Sequence, residues 1–449
     1  MLPAETTSQT LTVKRVNISR DLFLLHTANK ERYPFLLESV AHGTAQSQFD
    51  ILFAFPQERL ELQELNGKDF LSQLDNTWRQ HKQATTETDL PFTGGWFLYL
   101  GYELAQQIEP RLTLTREQGT LPIAMAVRIP AAVIHSHKEQ CVYLIAESGH
   151  EALIEKLEYD LEQSVKKTPA VTIDASLQEE ESQCYLSAVK KTKQYIIDGD
   201  IFQANLSRLW QGTFNSSDGT NILYENLRIH NPAPFSGVMS HNNTTVISSS
   251  PERLVSVKNN IIQTRPIAGT RPRSSTSDLD HALSEELMTH PKERAEHIML
   301  IDLERNDLGR VCQAGSIEVN ELMVLESYAH VHHIVSNVQG KLGDNITPGD
   351  VIRAVFPGGT ITGCPKVRCM EIIHELEQAE RGPYTGSMGY LNCDGSMDLN
   401  ILIRTIVCEK DKISLRAGAG IVADSVPENE LEETRAKARG MLLALGINK

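Results

Sequence analysis

An α+β chain, mixed in its elements and built on large, mostly antiparallel sheets, is the fold class that three observations predict. Apolar residues fill 40% of 449 positions, enough for a substantial core. Short β-rich runs such as FDILFAF and QCVYLIA alternate with helical patterns such as HEALIEKLEYDLEQSV, whose apolar residues recur at helical spacing. Several strand-like runs also follow one another through turn-length connections, which favours antiparallel pairing.

In chain order, residues 1–165 form an N-terminal region of mixed texture. The polar stretch KKTPAVTIDASLQEEESQ, residues 166–183, reads as a linker, and residues 184–449 form a C-terminal region. That region opens with a helical pattern, Tyr185 to Ile197, followed by the strand-like runs TTVISSSPERLVSV and NIIQTRPIAGT. A long helix is expected around KERAEHIMLIDLERND. Further strands are expected in HHIVSNVQGKL, GSMGYLN, ILIRTIVCEK and KISLRAGAGIV, and PENELEETRAKARGMLLAL closes the chain as a helix. No repeat of fixed period is evident.

Charge and cysteine usage exclude several classes. Lys and Arg total 43 against 58 Asp and Glu, a net charge of -15 that repels phosphate backbones and anionic lipid. Nucleic acid is therefore not an expected partner. The start, MLPAETTSQT, has neither a basic nor an apolar leader segment, and LPIAMAVRIPAAVI is broken by Arg128 and two prolines. Neither export nor a membrane span is expected, which places the chain in the cytoplasm. The seven cysteines form no CxxC pair and read as buried thiols, Cys312 among them, with no disulfide framework or thiolate zinc site.

Two acidic pairs are spaced i, i+3: Glu293 with Glu296, and Glu430 with Glu433. On helices each pair projects from one face, where like charges destabilise unless a cation intervenes. Two such faces brought together make a hard-cation site of the kind magnesium prefers, and solvated helix surfaces are the alternative. For the second pair Ser425 as a cap and Pro427 in the first turn also suit a simple helix start. The glycine-dense turns FPGGTITGCPK and RAGAGIV let backbone approach a ligand, although neither is a P-loop. Arg404, in the strand-like LIRT, needs an anionic partner, either a substrate carboxylate or an internal acid, and Tyr384 offers a phenol donor nearby in type. Of His330, His332 and His333, at most one is expected to function, because their spacing is wrong for zinc on a helix.

Taken together, DGDIFQANLS, SSSPERLV, RPIAGT, KERAEHIMLIDLERNDLGR, HHIVSNVQG, FPGGTITGCPKVRCMEIIHELE, RGPYTGSMGYL, LNILIRT and RAGAGIVADSVPENELEETRAKA resemble the chorismate-utilising enzymes, from Tyr185 to the end and in order. FLLES and GGWFLYLGYELA resemble the N-terminal part of the aminating members. The resemblance implies their fold, two stacked subdomains with large sheets sandwiched by helices. It implies that Glu296 and Glu433 ligate Mg2+ directly and Glu293 and Glu430 through water. Glu252 matches the general acid or base beside the departing C4 hydroxyl of chorismate, with His333 close to it. Arg404 and Tyr384 match binders of the enolpyruvyl carboxylate, supplemented by amides near Gly418 and Gly420. Gly269, Thr270, Thr360 and Lys437 match further substrate contacts.

The same resemblance bears on the nucleophile. Members that add water place a lysine where this chain has Gln203, which is no base at neutral pH, so amination is implied. Ala268 stands where the better-known aminodeoxychorismate synthases carry a lysine that attacks C2, and anthranilate synthases carry alanine. Gly358 and Thr362 match the aminodeoxychorismate form, in a subclass where ammonia takes the lysine's role. The product expected is 4-amino-4-deoxychorismate, with anthranilate as the alternative and a non-catalytic chorismate or tryptophan sensor as a second one. No glutaminase motif is visible, so a separate glutamine amidotransferase subunit is the implied partner. FLLES and NPAPFSG match a region that forms a tryptophan pocket in such enzymes.

Overall fold

The computed structural model describes residues 6–7, 11–41, 48–85, 87–117, 119–163, 173–215, 219–274, 276–327 and 331–447. Two sheets, of 13 and 10 strands, stack face to face, and every strand pairing between the described strands is antiparallel. The apolar runs build the layer between them. Phe35, Ile51 and Phe53 of the larger sheet meet Phe97, Met125, Val127 and Met388 of the smaller one. Helices cover the two outer faces. Leu157, Leu227 and Met441 pack on the larger sheet, and Leu74, Leu308 and Val351 pack on the smaller.

Both sheets cross the sequence boundary drawn at 166–183. In the larger sheet Phe35–Glu38 pairs with Phe235–His241, and in the smaller Gly95–Leu100 pairs with Ser387–Asn392. Residues 164–172 lie outside the described set, but Asp174–Glu179 is an edge strand on Gln203–Asn215.

Two expected runs are broken in ways that matter for the site. TTVISSSPERLVSV is two strands, Thr244–Ser250 in the larger sheet and Arg253–Lys258 in the smaller, so Pro251 and Glu252 sit where the chain passes between sheets. LPIAMAVRIPAAVI likewise splits into Ala124–Ile129 and Ala131–Ser136, and buried Arg128 donates to Glu147 at 2.7 Å. The cysteines need a correction. Cys184, on the helix Ser182–Ile197, is exposed; Cys312, bridged to Leu342, and Cys364, in a short strand paired with Gln203, are partly exposed, while the other four are buried. Among the described residues no helix is long and apolar enough to cross a membrane.

Candidate active site

The site is built on one strand pair. Gln203–Asn215 lies antiparallel to Lys412–Ile421 with Asn205 opposite Gly420 and Ser207 opposite Gly418. At Gly418 a Cβ would stand 2.6 Å from the Tyr384 hydroxyl and 2.7 Å from Asn205 Oδ1, and at Gly420 it would stand 2.4 Å from Gln203 Nε2. Gly418 admits no Cβ, which would also stand 2.6 Å from the Leu206 carbonyl, while a Cβ at 420 would displace the Gln203 amide from the strand.

The two acidic helices approach this same edge. On the helix Pro291–Gly309, Glu296 Oε1 accepts from Gln203 Nε2 at 3.2 Å, and Glu293 pairs with Arg271 at 3.2 Å. On the helix Pro427–Ala444, Glu433 pairs with Lys437 at 2.7 Å, and Lys437 Nζ also donates to the Gly418 carbonyl at 3.0 Å. Glu430 lies one turn before Glu433 on that helix. Among the described residues no three of these four carboxylates lie within 4.8 Å of one another. The donor set nevertheless fits magnesium in kind, being all oxygen, anionic and shared between two helices. Pro427 occupies the first turn as expected, but Ser425 does not cap: Val426 is the N-cap, and the Ser425 hydroxyl instead accepts from Val422 N at 3.1 Å.

Arg404 is not in a strand. It adopts a left-handed φ of 52° immediately before Thr405–Glu409, held where Ser249 N donates to its carbonyl at 3.1 Å. Its Nη1 donates to the Lys437 carbonyl at 2.8 Å, and among the described residues no carboxylate lies within 4.0 Å of its guanidinium. Burial lowers its pKa, partly offset by Tyr384 and by the Glu433 charge. A half-buried cation without a paired anion bears part of the cost of desolvation, and a ligand carboxylate would offset it. Tyr384, 7% exposed, also sits in a turn and not a strand, with the Arg381 guanidinium 5.6 Å from its ring centroid.

Glu252 is 6% exposed at the crossover between sheets. Burial pushes its carboxyl up to about 7, against the lowering effects of the Thr360 side chain, the Ile267 N–H and the Lys437 charge. His333 is pushed down to about 4 by burial, so its ring is neutral near pH 7; a hydrogen bond to the Gly269 backbone opposes that shift. His333 faces Thr270 across Ile267–Pro272 and Val331–Lys341, where a bulge falls between Ala268 and Thr270. Gly269 makes the bulge with φ 70°, and a Cβ there would stand 2.8 Å from Leu287 Cδ1 and 2.9 Å from Glu293 Oε2. Ala268, 6% exposed, sits beside it.

The remaining candidates separate. His332 bonds Ser327 Oγ at 2.7 Å and Asp280 at 3.1 Å, a structural tie, while His330 and the Thr270 side chain lie outside the described residues. A cavity of about 900 Å³ on the adjoining face of the helix Pro291–Gly309 holds none of the candidate residues. Three residues of the site were not singled out from sequence. Asn205 presents a buried Oδ1 without a hydrogen-bond donor among the described residues, and Arg381 donates to the Asn205 carbonyl at 2.8 Å while paired with Glu377 at 2.6 Å. Arg416 donates to Ser207 Oγ at 3.2 Å beside them.

A twin-sheet fold with these residues on its inner strand edge defines an enzyme class, and the chain belongs to the chorismate binding enzyme family, whose model matches residues 23–443. It is 43% identical over 362 residues to the anthranilate synthase component I-like protein of Synechocystis sp., covering 79% of this chain and 73% of that one. It is 41% identical over 392 residues to aminodeoxychorismate synthase component 1 of Bacillus subtilis, covering 83% and 82%. The crystal structure of anthranilate synthase component I from Streptococcus pneumoniae superposes with a TM-score of 0.80 at 30% identity, over 89% of this chain and 93% of that one.

Proposed function

We propose that this chain is component I of an aminodeoxychorismate synthase, which converts chorismate and ammonia to 4-amino-4-deoxychorismate. The observation that carries a carboxylate substrate is Arg404, a half-buried guanidinium whose pKa desolvation lowers and which has no ion-pair partner within 4.0 Å among the described residues, near Tyr384. These two hold the enolpyruvyl carboxylate, with the strand edge at Gly418 and Gly420 and with Thr270, Thr360 and Lys437 completing the contacts. Glu252, near half-protonated at neutral pH, delivers a proton to the departing C4 hydroxyl, and neutral His333 positions that hydroxyl. Glu296 and Glu433, with Glu293 and Glu430 beside them, would hold Mg2+. When bound, the ion supplies Lewis-acid polarisation of the ring carboxylate.

Gln203 cannot remove a proton from water, and its amide is already engaged with Glu296. Ala268 leaves C2 open to ammonia, which adds there as the protonated C4 hydroxyl leaves as water, giving noncovalent 2-amino-2-deoxyisochorismate. A second ammonia then adds at C4 as the C2 amine departs as ammonia. For the product, Gly358 and Thr362 speak for the C4 amine. The fully buried Thr362 hydroxyl donates to the Gly358 carbonyl at 2.8 Å, and an alanine at 358 would press its Cβ to 3.0 Å from Ile401 Cδ1. Ala268 alone favours the second reading, anthranilate synthase component I. Ammonia is mostly protonated at neutral pH, so delivery from a separate glutamine amidotransferase subunit in the cytoplasm completes the reading. A cavity of about 490 Å³ lined by Leu37, Glu38, Ser39, Pro234, Phe235 and Ser236 is of a size to hold tryptophan, which equilibrium binding of the labelled amino acid tests.

The deciding experiment gives the protein chorismate, Mg2+ and ammonium at mildly alkaline pH, with and without an aminodeoxychorismate lyase. Lyase-dependent 4-aminobenzoate is the expected result. Anthranilate and pyruvate formed without the lyase would assign the other product, and no turnover with chorismate bound would leave a sensor.

A further inference from the structure

Far from the strand edge that carries the candidate active site, three metal-ligating side chains meet on the helix-covered face of the larger sheet. Asp50 on Phe49–Ala54 stands directly across from His135 on Ala131–Ser136, and His137 follows two residues on, returning to the same side. His135 Nδ1 is 3.3 Å from Asp50 Oδ2, and His137 Nε2 is 2.8 Å from Asp50 Oδ1. One ligand atom from each lies within 4.8 Å of the other two, and this is the one such group among the described residues. The side chains are 10%, 12% and 17% exposed for His135, Asp50 and His137, so the cluster is shielded yet reachable through His137.

We propose that Asp50, His135 and His137 form a binding site for a zinc-class transition-metal ion, separate from the glutamate site. Three features of the geometry support it. A tetrahedral ion with bonds of about 2.0–2.1 Å holds its donors roughly 3.3 Å apart, the spacing at which His135 and Asp50 already stand. Two imidazoles with one carboxylate is a donor set that selects zinc, cobalt or nickel over magnesium. The outer partners are those that orient such ligands: Ser19 Oγ lies 3.2 Å from His135 Nε2, the ring nitrogen turned away from Asp50, and Ser39 N donates to Asp50 Oδ1 at 3.0 Å. The fourth position is left to water. The ion ties two neighbouring strands at a point where Phe49 and Ile51, flanking Asp50 but facing the other way, line the 490 Å³ cavity.

The test is a cobalt titration of chelator-treated full-length protein, followed by visible absorption, with zinc and then magnesium added as competitors. One cobalt per chain with visible bands, displaced by zinc and untouched by excess magnesium, is the expected result. In Asp50→Asn and in His137→Ala, affinity falls at least ~10-fold while thermal unfolding without metal shows a folded chain. A Cys184→Ser variant that keeps the bands separates the site from the exposed thiol. Bands absent from the wild type, or unchanged in both variants, would overturn the proposal and leave Asp50 a hydrogen-bonded bridge between two imidazoles.

Discussion

Replacing Glu252 by Gln tests the acid assigned to the reaction through a property that needs no substrate. Moving this carboxyl from its ordinary 4.5 to about 7 costs its ionised form about 3 kcal/mol in the folded chain. The folded state therefore binds the Glu252 proton more tightly than the unfolded state does. Its contribution to stability is complete below the unfolded value, falls as pH rises towards about 7, and stays lost above that. Glutamine does not titrate, so the variant's stability relative to wild type rises by at most about 1.4 kcal/mol per pH unit across that window and then levels off. Glu304 is pushed up to about 8 by burial, then by Asp307 and in smaller part by Glu252 itself, so its own titration is centred higher. The assay is urea unfolding of both proteins in steps from about pH 5 to about pH 8.5, plotted as the difference. Parallel curves between about 5 and 7 would refute the buried, raised carboxyl and with it the proton donor. Turnover of the variant should fall about 10²- to 10⁴-fold, the usual worth of a placed proton donor.

Three other substitutions separate the roles. Arg404→Met should weaken chorismate binding about 10- to 150-fold, from lost charge-assisted bonds worth about 1.5–3 kcal/mol, while stability falls by no more than about 1 kcal/mol, the worth of its bond to the Lys437 carbonyl. Calorimetric titration with thermal unfolding checks this, and a larger joint fall of affinity and stability would mean that an internal acid had been its partner. Gly269→Ala, at φ 70° and against Leu287 and Glu293, should destabilise by about 1–3 kcal/mol and raise the Mg2+ needed for half-maximal turnover, read by urea unfolding and by metal titration. Glu433→Gln should abolish turnover at ordinary Mg2+ while changing stability by less than about 1 kcal/mol, because its pair with Lys437 is largely solvated. Full activity in that variant would remove Glu433 from the metal site.

The strand runs, the two long helices and the acidic pairs were legible because periodicity and spacing are local signals. What was not legible depended on distant chain. Arg404 reads as a strand residue in LIRT, yet its left-handed backbone is set beside Ser249 and Lys437, well outside that segment. Tyr384 reads the same way in GPYTG but lies in a turn, with Gly386 N bonded to the Pro383 carbonyl at 2.9 Å. The run from Thr244 to Val257 looks continuous, and only two sheets competing for its halves make Glu252 a crossover residue. Asn205, Arg381 and Arg416 carry no motif of their own. Their part follows from the register of Gln203–Asn215 against Lys412–Ile421, which no local pattern encodes.

Left-handed backbone and unmet buried polar atoms occur at several places in the fold, Phe55 and Trp78 among them, but a group of them lies at the candidate site. Arg404 and Thr385 take left-handed backbone without being glycine, at φ 52° and 61°. Gly269 makes a bulge against Glu293, while Gln203 Oε1 and Asn205 Oδ1 are buried acceptors with no donor among the described residues. Each costs stability taken alone, of order 1–3 kcal/mol for a strained backbone or an unmet polar atom. A core optimised for stability would scatter or remove such costs. Here several remain together at the strand pair and sheet crossover that also hold the Arg404 guanidinium and the raised carboxyl. The long strand pairs and the apolar layer between the sheets offset these costs. Among the described residues the acceptors Gln203 Oε1 and Asn205 Oδ1 have no donor and Arg404 has no paired carboxylate. A ligand carrying both a carboxylate and a hydroxyl or amine would meet those needs together, which ties the local energetics to the anionic, hydroxylated substrate proposed above.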